Sequence, residues 1–449
     1  MSISRAIVLG LGSSGEAASF LLAAGGAKVR VFDNANNSVV LGRAEALRAR
    51  GVSVSLGAVN LSADDFQING SRADVCVVSP GVPCQSPWLQ LADRLGIEVL
   101  AEIDIGFRAA GCPIIAVTGS NGKSTLVKLL HETIQLLGMR SAACGNYGDP
   151  ISKVAAEKNG WDRLVAEIST FQMERSEVFA PQTAVLLNIQ PNHLDRHGSM
   201  DIYVGLKAKM FAKMPSNGIA ITNQDAVDAV ANCNKDLRLV TIGNRNGVDF
   251  HYQPGKVSGK GAAIDVAGTF VDNPIMGLTA SAALAVVVEN GWAPEALEQT
   301  IKHFIPLDFR MQTIGQLNGV RFVNNSKATT LAALGASLQM VDGPIRLVSG
   351  GRLKEKDLDW IKNMLVKHVA SAYLYGQVGD ELAAAWGDAV TCGVFENLHQ
   401  ATQRALSDAE SGDVVLLSPG CASFDQYSGY AERGRDFNRV VEEFRRESV

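Results

Sequence analysis

No stretch of this chain reaches about 18 consecutive apolar residues, and the N-terminus lacks a basic, then apolar, then small-residue succession, so neither a membrane helix nor a secretory leader is expected. Cysteine is sparse: the seven residues, at 76, 84, 112, 144, 233, 392 and 421, are odd in number and show no Cys-x-x-Cys spacing. That argues against a zinc ribbon or a disulfide scaffold and reads as reduced thiols. An excess of one charge sign is missing too. The 41 basic and 46 acidic residues give a net charge of −5 without long like-charge runs, so no nucleic-acid surface is expected. The expectation is a soluble cytoplasmic protein, monomeric, that engages neither membrane nor nucleic acid.

What is present is a globular composition, 47% apolar over 449 residues, too long for one ordinary core and therefore divided into several domains. The 44 glycines fit many tight turns between strands and helices.

The most informative stretch is Ile114-Ile115-Ala116-Val117-Thr118-Gly119-Ser120-Asn121-Gly122-Lys123-Ser124-Thr125. Four apolar residues read as a buried parallel strand, a Gly-rich turn follows, and Leu126 to Leu137 has helical apolar spacing. Glycines at 119 and 122 let backbone N–H groups converge on an anion at the positive end of a helix. Lys123 then meets the terminal phosphates, and a hydroxyl from Ser124 or Thr125 ligates Mg²⁺. The general phosphate-loop spacing is incomplete, because it requires glycine where Val117 stands.

Upstream, Ala6 to Leu9 reads as a strand leading into Gly10-Leu11-Gly12-Ser13-Ser14-Gly15, with a helix after it and a second strand, Lys28 to Phe32, ending at Asp33. This is the dinucleotide fingerprint by spacing, yet the same glycines can hold the diphosphate of a UDP-sugar. Val75 to Val78 ends in Ser79-Pro80-Gly81-Val82-Pro83, another turn at a strand's carboxyl end. Downstream, Leu164 to Ala166 carries Glu167 at its end, with Ser169 to Gln172 opening a helix. Thr183 to Ile189 precedes Gln190-Pro191-Asn192-His193. In a doubly wound sheet both ends share the edge of the phosphate loop. Glu167 and His193 can therefore face a nucleotide's metal, although a helix-capping glutamate and a structural histidine are as common. Residues 215–270 read as turns with alternating segments, and Thr279 to Glu289 as a helix. A link at 305–310 precedes a last third with strands at 320–323, 345–348, 372–375 and 414–417. The expected fold is α/β in three domains: 1–100, Rossmann-like; 101–306, a phosphate-loop ATPase sheet; and 307–449, Rossmann-like.

Six segments together resemble the Mur ligase family of peptidoglycan synthesis: 118–125, 167–172, 188–196, 203–207, 325–329 and 417–426. The resemblance implies an enzyme whose first domain holds a UDP-sugar, whose second holds ATP and whose third holds the incoming amino acid. It implies phosphorylation of the terminal carboxylate of UDP-N-acetylmuramoyl-L-alanine, followed by attack of the amino group of glutamate on the acyl phosphate. Gly119, Ser120, Asn121, Gly122, Lys123, Ser124 and Thr125, with Arg310, Asn325 and Lys327, are the implied nucleotide contacts. Lys123, Glu167, His193 and Lys207 are the implied catalytic set. Ser124, Thr125 and Glu167 serve one Mg²⁺; His193 and Lys207, the latter matching a lysine carbamylated by CO₂, serve a second. Ser13, Ser14, Asp33, Asn34, Ser79 and Gly81, with Asn146 and Ser169, fall where the family holds the UDP substrate. Thr329, Lys354, Ser423 and Tyr430 fall where it grips glutamate.

The sequence departs from the family pattern in four places. Asn192 and Asn325 replace acids, Ile275 to Thr279 lacks a pair of asparagines usual at the adenine, and Arg352 is inserted in the turn before Lys354. A relative adding L-glutamate or another amino acid is the nearest alternative. A nucleotide-gated ATPase switch is an alternative from a different class, but has no need of a second metal at His193 and Lys207.

Overall fold

The computed structural model describes residues 3–157, 159–245, 247–355 and 357–447. Its strands fall into three main sheets. In the first, β1 (Arg5–Leu9), β2 (Lys28–Phe32), β3 (Ser53–Ser55), β6 (Val75–Val78) and β7 (Glu98–Ala101) are all parallel, in the order β3-β2-β1-β6-β7; β4 (Gln67–Ile68) and β5 (Ser71–Arg72) make a separate hairpin. The β1 sequence is apolar without alternation because both faces are covered. Ala6 and Val8 pack with Val31 and Val77 on one side, Ile7 and Leu9 with Cys76 and Val78 on the other.

The central sheet contains β8 (Ile114–Thr118), β9 (Ser141–Gly145), β10 (Arg163–Glu167), β11 (Thr183–Leu186), β12 (Ile219–Asn223), β13 (Arg238–Gly243), β14 (Phe250–Gln253), β15 (Lys256–Gly259) and β16 (Ala262–Asp265). Their order is β16-β15-β14-β13-β12-β11-β8-β10-β9, parallel except for the β14–β15–β16 meander. Period-two alternation divides it between two cores: Ile115, Val117 and Val165 face one, Ile114, Ala116 and Leu164 the other. Strand β8 lies between β10 and β11, so the turns after all three open on one edge.

The meander is the part that turn-rich residues 215–270 concealed. Phe250 and Tyr252 point inward, His251 and Gln253 do not, and the helix Pro274–Glu289 closes over them. That approach requires Gly277, where a Cβ would lie 2.2 Å from the Tyr252 ring. The helix starts five residues before the alanine-rich stretch that announces it, because Asn273 accepts the Met276 N–H at 3.0 Å and Pro274 occupies its first turn. The third sheet holds β17 (Gln312–Leu317), β18 (Val320–Asn324), β19 (Ile345–Gly350), β20 (Val369–Tyr375), β21 (Thr391–Phe395) and β22 (Val414–Leu417) in the order β17-β18-β22-β19-β20-β21, with only β17 antiparallel. Strands β3, β7, β9, β17 and β21 have too little apolar patterning to be anticipated.

Asp104, fully buried, fastens the helix Glu102–Ala109 to the 176–179 turn. Its carboxylate accepts from the N–H groups of Glu177, Val178 and Phe179 at 3.0–3.1 Å and from the Ser176 hydroxyl at 2.8 Å. Asp104→Asn turns an N–H₂ toward these donors and is expected to cost roughly 2–4 kcal/mol. A lowered midpoint in urea unfolding would register this, and an unchanged midpoint would contradict it.

Candidate active site

The phosphate loop leaves β8 with Gly119 at φ +151° and Gly122 at +83°, conformations that side chains rarely adopt. A Cβ on Gly122 would also lie 2.9 Å from Thr279 Oγ1, and one on Gly119 would lie 3.1 Å from Leu187 Cβ, so the backbone cradle exists only with glycine. Asn188, at the end of the neighbouring strand, fixes the loop by accepting the N–H groups of Ser120 and Asn121 at 3.0 and 2.9 Å. Ser120 Oγ meets Gln190 and, at 3.0 Å, the Tyr203 hydroxyl. Lys123 folds back to donate to the Gly119 and Ser120 carbonyls, both at 3.0 Å. Burial pushes its pKa down, while nearby Glu167 pulls it up.

Ser124 donates to Glu167 Oε2 in a short contact, Asn146 Nδ2 donates to Glu167 Oε1 at 2.6 Å, and Arg310 donates to Ser124 Oγ at 2.9 Å. Among the described residues no group of three or more His, Cys, Asp and Glu converges as a closed metal cage. A hydroxyl and a carboxylate beside a phosphate cradle nevertheless fit Mg²⁺, which keeps several waters and takes its remaining oxygens from a nucleotide.

Lys207 sits behind the loop, buried, with Nζ 2.7 Å from the Gly119 carbonyl and 4.4 Å from the centre of the Tyr203 ring. Burial, and then the Lys123 charge, lower its pKa to about 6. His193 stands exposed at φ +54° on the loop opposite, its ring edge-on to Phe171 at 4.9 Å. A cavity of about 560 Å³ is lined by Ser120 to Thr125, Glu167 and His193. The same cavity has an apolar lining from Phe270, Ile275, Met276 and Met340.

The third sheet closes this cavity with Arg310, Asn325, Lys327, Thr329 and Tyr430. Arg310 is delivered by a link in which Phe309 (φ +60°) and Met311 (φ +51°) both take the left-handed conformation, unusual for such side chains. Asn325 lines the cavity and also braces this link, its amide oxygen accepting the Met311 N–H at 3.2 Å while its amide nitrogen donates to Ser418 Oγ at 3.2 Å. Lys327 lies 3.7 Å above the Tyr430 ring. Lys354 is exposed and Ser423 buried, and neither lines the cavity. Arg352 is exposed; its backbone pairs with Ala422 at 2.8 and 2.9 Å, fixing Ser423 beside the turn.

A second cavity, about 790 Å³, lies over the first sheet and takes in Ser13, Ser14, Asp33, Asn34, Ser79, Gly81 and Asn146. Gly12 begins the helix Ser13–Ala24 with no side-chain cap, leaving its first N–H groups free for an anion. Asp33 closes the glycine turn rather than pointing only at a ligand: its two oxygens accept Leu11 N–H at 2.5 Å and Ala35 N–H at 2.7 Å. Ser79 donates to the Gly10 carbonyl at 2.7 Å. Ser169 lines neither cavity; it caps the short helix Thr170–Met173 and bonds Gln172, which does line the cavity over the first sheet. Asn146 and Gly148 border both cavities. Tyr147, Phe270 and Met340 were not anticipated, since isolated apolar or aromatic residues read as core.

Three family models match: the N-terminal domain of MurD-like Mur ligases over residues 4–101, the Mur ligase middle domain over 117–279, and the glutamate ligase domain of Mur ligases over 309–421. The UDP-N-acetylmuramoylalanine–D-glutamate ligase of Nitratidesulfovibrio vulgaris is 33% identical over 442 residues, covering 97% of this chain and 96% of that one. The enzyme of the same name from Caldanaerobacter subterraneus is 31% identical, covering 98% and 99%. Among solved structures, the MurF ligase of Thermotoga maritima in complex with ADP superposes with a TM-score of 0.64 at 14% identity, covering 98% of each chain, which supports the three-domain fold. With matches along almost its whole length, the chain belongs to the Mur ligase family.

Proposed function

We propose that this chain is an ATP-dependent ligase that joins D-glutamate to UDP-N-acetylmuramoyl-L-alanine through an acyl phosphate, releasing ADP and phosphate, in the cytoplasmic assembly of cell-wall peptidoglycan precursors. The observation that carries the reading is the meeting of Lys123, Arg310 and Lys327, three cations from two sheets, on one cavity that borders, through Asn146, a larger one suited to a UDP-sugar. The domains are taken as 1–100, 101–306 and 307–449, and the working state as a monomer.

A carboxylate approaching the γ-phosphate brings two anions together, so the site must supply positive charge where the phosphoryl group moves. Lys123 is held by loop carbonyls for that purpose and exchanges them for phosphate oxygens. Arg310 and Lys327 add charge from the third domain. The carboxylate oxygen attacks phosphorus as the bond to ADP breaks. The amine of D-glutamate, a proton removed, then attacks the acyl carbon, and phosphate leaves. Thr329, Lys354, Ser423 and Tyr430 hold the glutamate carboxylates, with closure of the third domain bringing Lys354 and Ser423 to the cavity.

Ser124, Thr125 and Glu167, and separately His193, would hold Mg²⁺, which when bound would supply positive charge beside the phosphates. Lys207 is suited to become a carbamate. Only a neutral amine attacks CO₂, and an amine with a pKa of about 6 is mostly neutral at physiological pH. The carbamate oxygen would join His193, whose imidazole is a weak ligand for Mg²⁺ without an anionic neighbour.

Phosphate release from ATP is expected only when UDP-N-acetylmuramoyl-L-alanine and D-glutamate are both present. Release without glutamate would favour a switch, and equal turnover with L-glutamate would change the specificity. Lys207→Ala is expected to lose at least about a hundredfold in kcat, with partial recovery on adding short carboxylates; full activity would displace it from the metal site. At fixed CO₂ pressure, reactivation of CO₂-depleted enzyme should rise as pH passes about 6 and then level, following deprotonation of Lys207. A profile still climbing toward the ordinary lysine pKa near 10.4 would contradict that.

A further inference from the structure

We propose that Arg196 is a positioning residue that ties the wall of the UDP-sugar cavity to His193, so that substrate in one cavity sets the metal-binding histidine over the other. This rests on the assignment of the two cavities made above. Arg196 has no place among the nucleotide or substrate contacts, yet its side chain joins loops of the first and second sheets. Its Nε donates to Glu174 Oε1 at 2.9 Å and one Nη to Glu174 Oε2 at 2.6 Å, a bidentate pair that is only partly exposed. The same Nη donates to the Pro80 carbonyl at 3.0 Å, on the turn whose Pro80, Gly81 and Val82 line the UDP-side cavity.

The other side of the guanidinium packs 4.3 Å from the centre of the Phe171 ring, and that ring meets His193 edge-on at 4.9 Å. The connection is also made through the backbone: Arg196 N–H donates to the His193 carbonyl at 3.1 Å, closing the turn that places His193 at φ +54°. Arg196 therefore holds three things in one geometry: the Pro80 turn, the Glu174 carboxylate and the Phe171–His193 pair. A shift of the Pro80 turn on sugar binding has a rigid path to the histidine. The planar fork does this where an ammonium could not, because it meets a carboxylate along one edge and an aromatic face with its plane.

The test compares Arg196→Met, Glu174→Gln and the double variant by initial rates, with Mg²⁺, ATP and UDP-N-acetylmuramoyl-L-alanine each titrated, and by the melting temperature of each protein. Arg196→Met is expected to lower kcat about tenfold or more and to raise the Mg²⁺ concentration for half-maximal rate, while binding of a non-hydrolysable ATP analogue by calorimetry changes less than about twofold. The double variant should be no worse than Arg196→Met, since both remove one connection. Arg196→Lys should recover little. Overturning results are an unchanged Mg²⁺ dependence, additive losses in the double variant, or a kcat loss that tracks the melting temperature alone. If wild-type protein forms no ADP with both substrates present, it is the cavity assignment that has failed; active wild type with an indifferent Arg196→Met fails the present proposal alone.

Discussion

An excess of positive charge around one backbone turn is the constraint on which the rest of this structure depends. Lys123 donates to the Gly119 carbonyl, and Arg310 and Lys327 reach the same cavity from the third domain; Lys207, its pKa lowered to about 6, meets that carbonyl as a largely neutral amine. Among the described residues Glu167 is the one carboxylate that lines this cavity, and its oxygens are engaged by Ser124 and Asn146. Burial has lowered the pKa of both lysines because the charged forms are poorly compensated. Such an arrangement is costly in an empty site and becomes favourable when polyphosphate and a transferring phosphoryl group arrive.

Each sheet contributes what its topology allows. Placing β8 between β10 and β11 puts the phosphate loop, Glu167 and the loop of His193 on one edge. The first sheet offers an uncapped helix start and a turn after β6, both lining the second cavity. The third sheet brings Arg310 through two residues held in left-handed backbone, so the link stores conformational strain at the point where domain position must be set. Asn325, which lines the cavity, also braces that link by accepting the Met311 N–H.

Much of this was legible because the chemistry is local in sequence. Gly119 to Thr125 announce a phosphate cradle by spacing alone, and the parallel strands β1, β2, β6, β8 and β22 stand out as short apolar runs. The family resemblance added the far-flung members Arg310, Lys327, Thr329 and Tyr430, which line the same cavity as the loop. What stayed hidden lacks a local signature. The β14–β16 meander carries weak alternation among turns, and Phe270 and Met340 are cavity walls only because chain folding brings them there. Asp33 and Ser169 both sit at turns after strands, where a ligand contact and a turn-closing role look alike in sequence; their hydrogen bonds go largely to backbone and to Gln172, a distinction that only coordinates make.

The central claim is that the cation cluster activates a carboxylate by transferring phosphate to it, and it can be tested by following oxygen. UDP-N-acetylmuramoyl-L-alanine with heavy oxygen in its terminal carboxylate should, during one turnover with ATP and D-glutamate, pass one labelled oxygen into the released phosphate, seen by mass spectrometry. Phosphate free of label, with product formed at the normal rate, would show that no acyl phosphate lies on the path and would contradict the account.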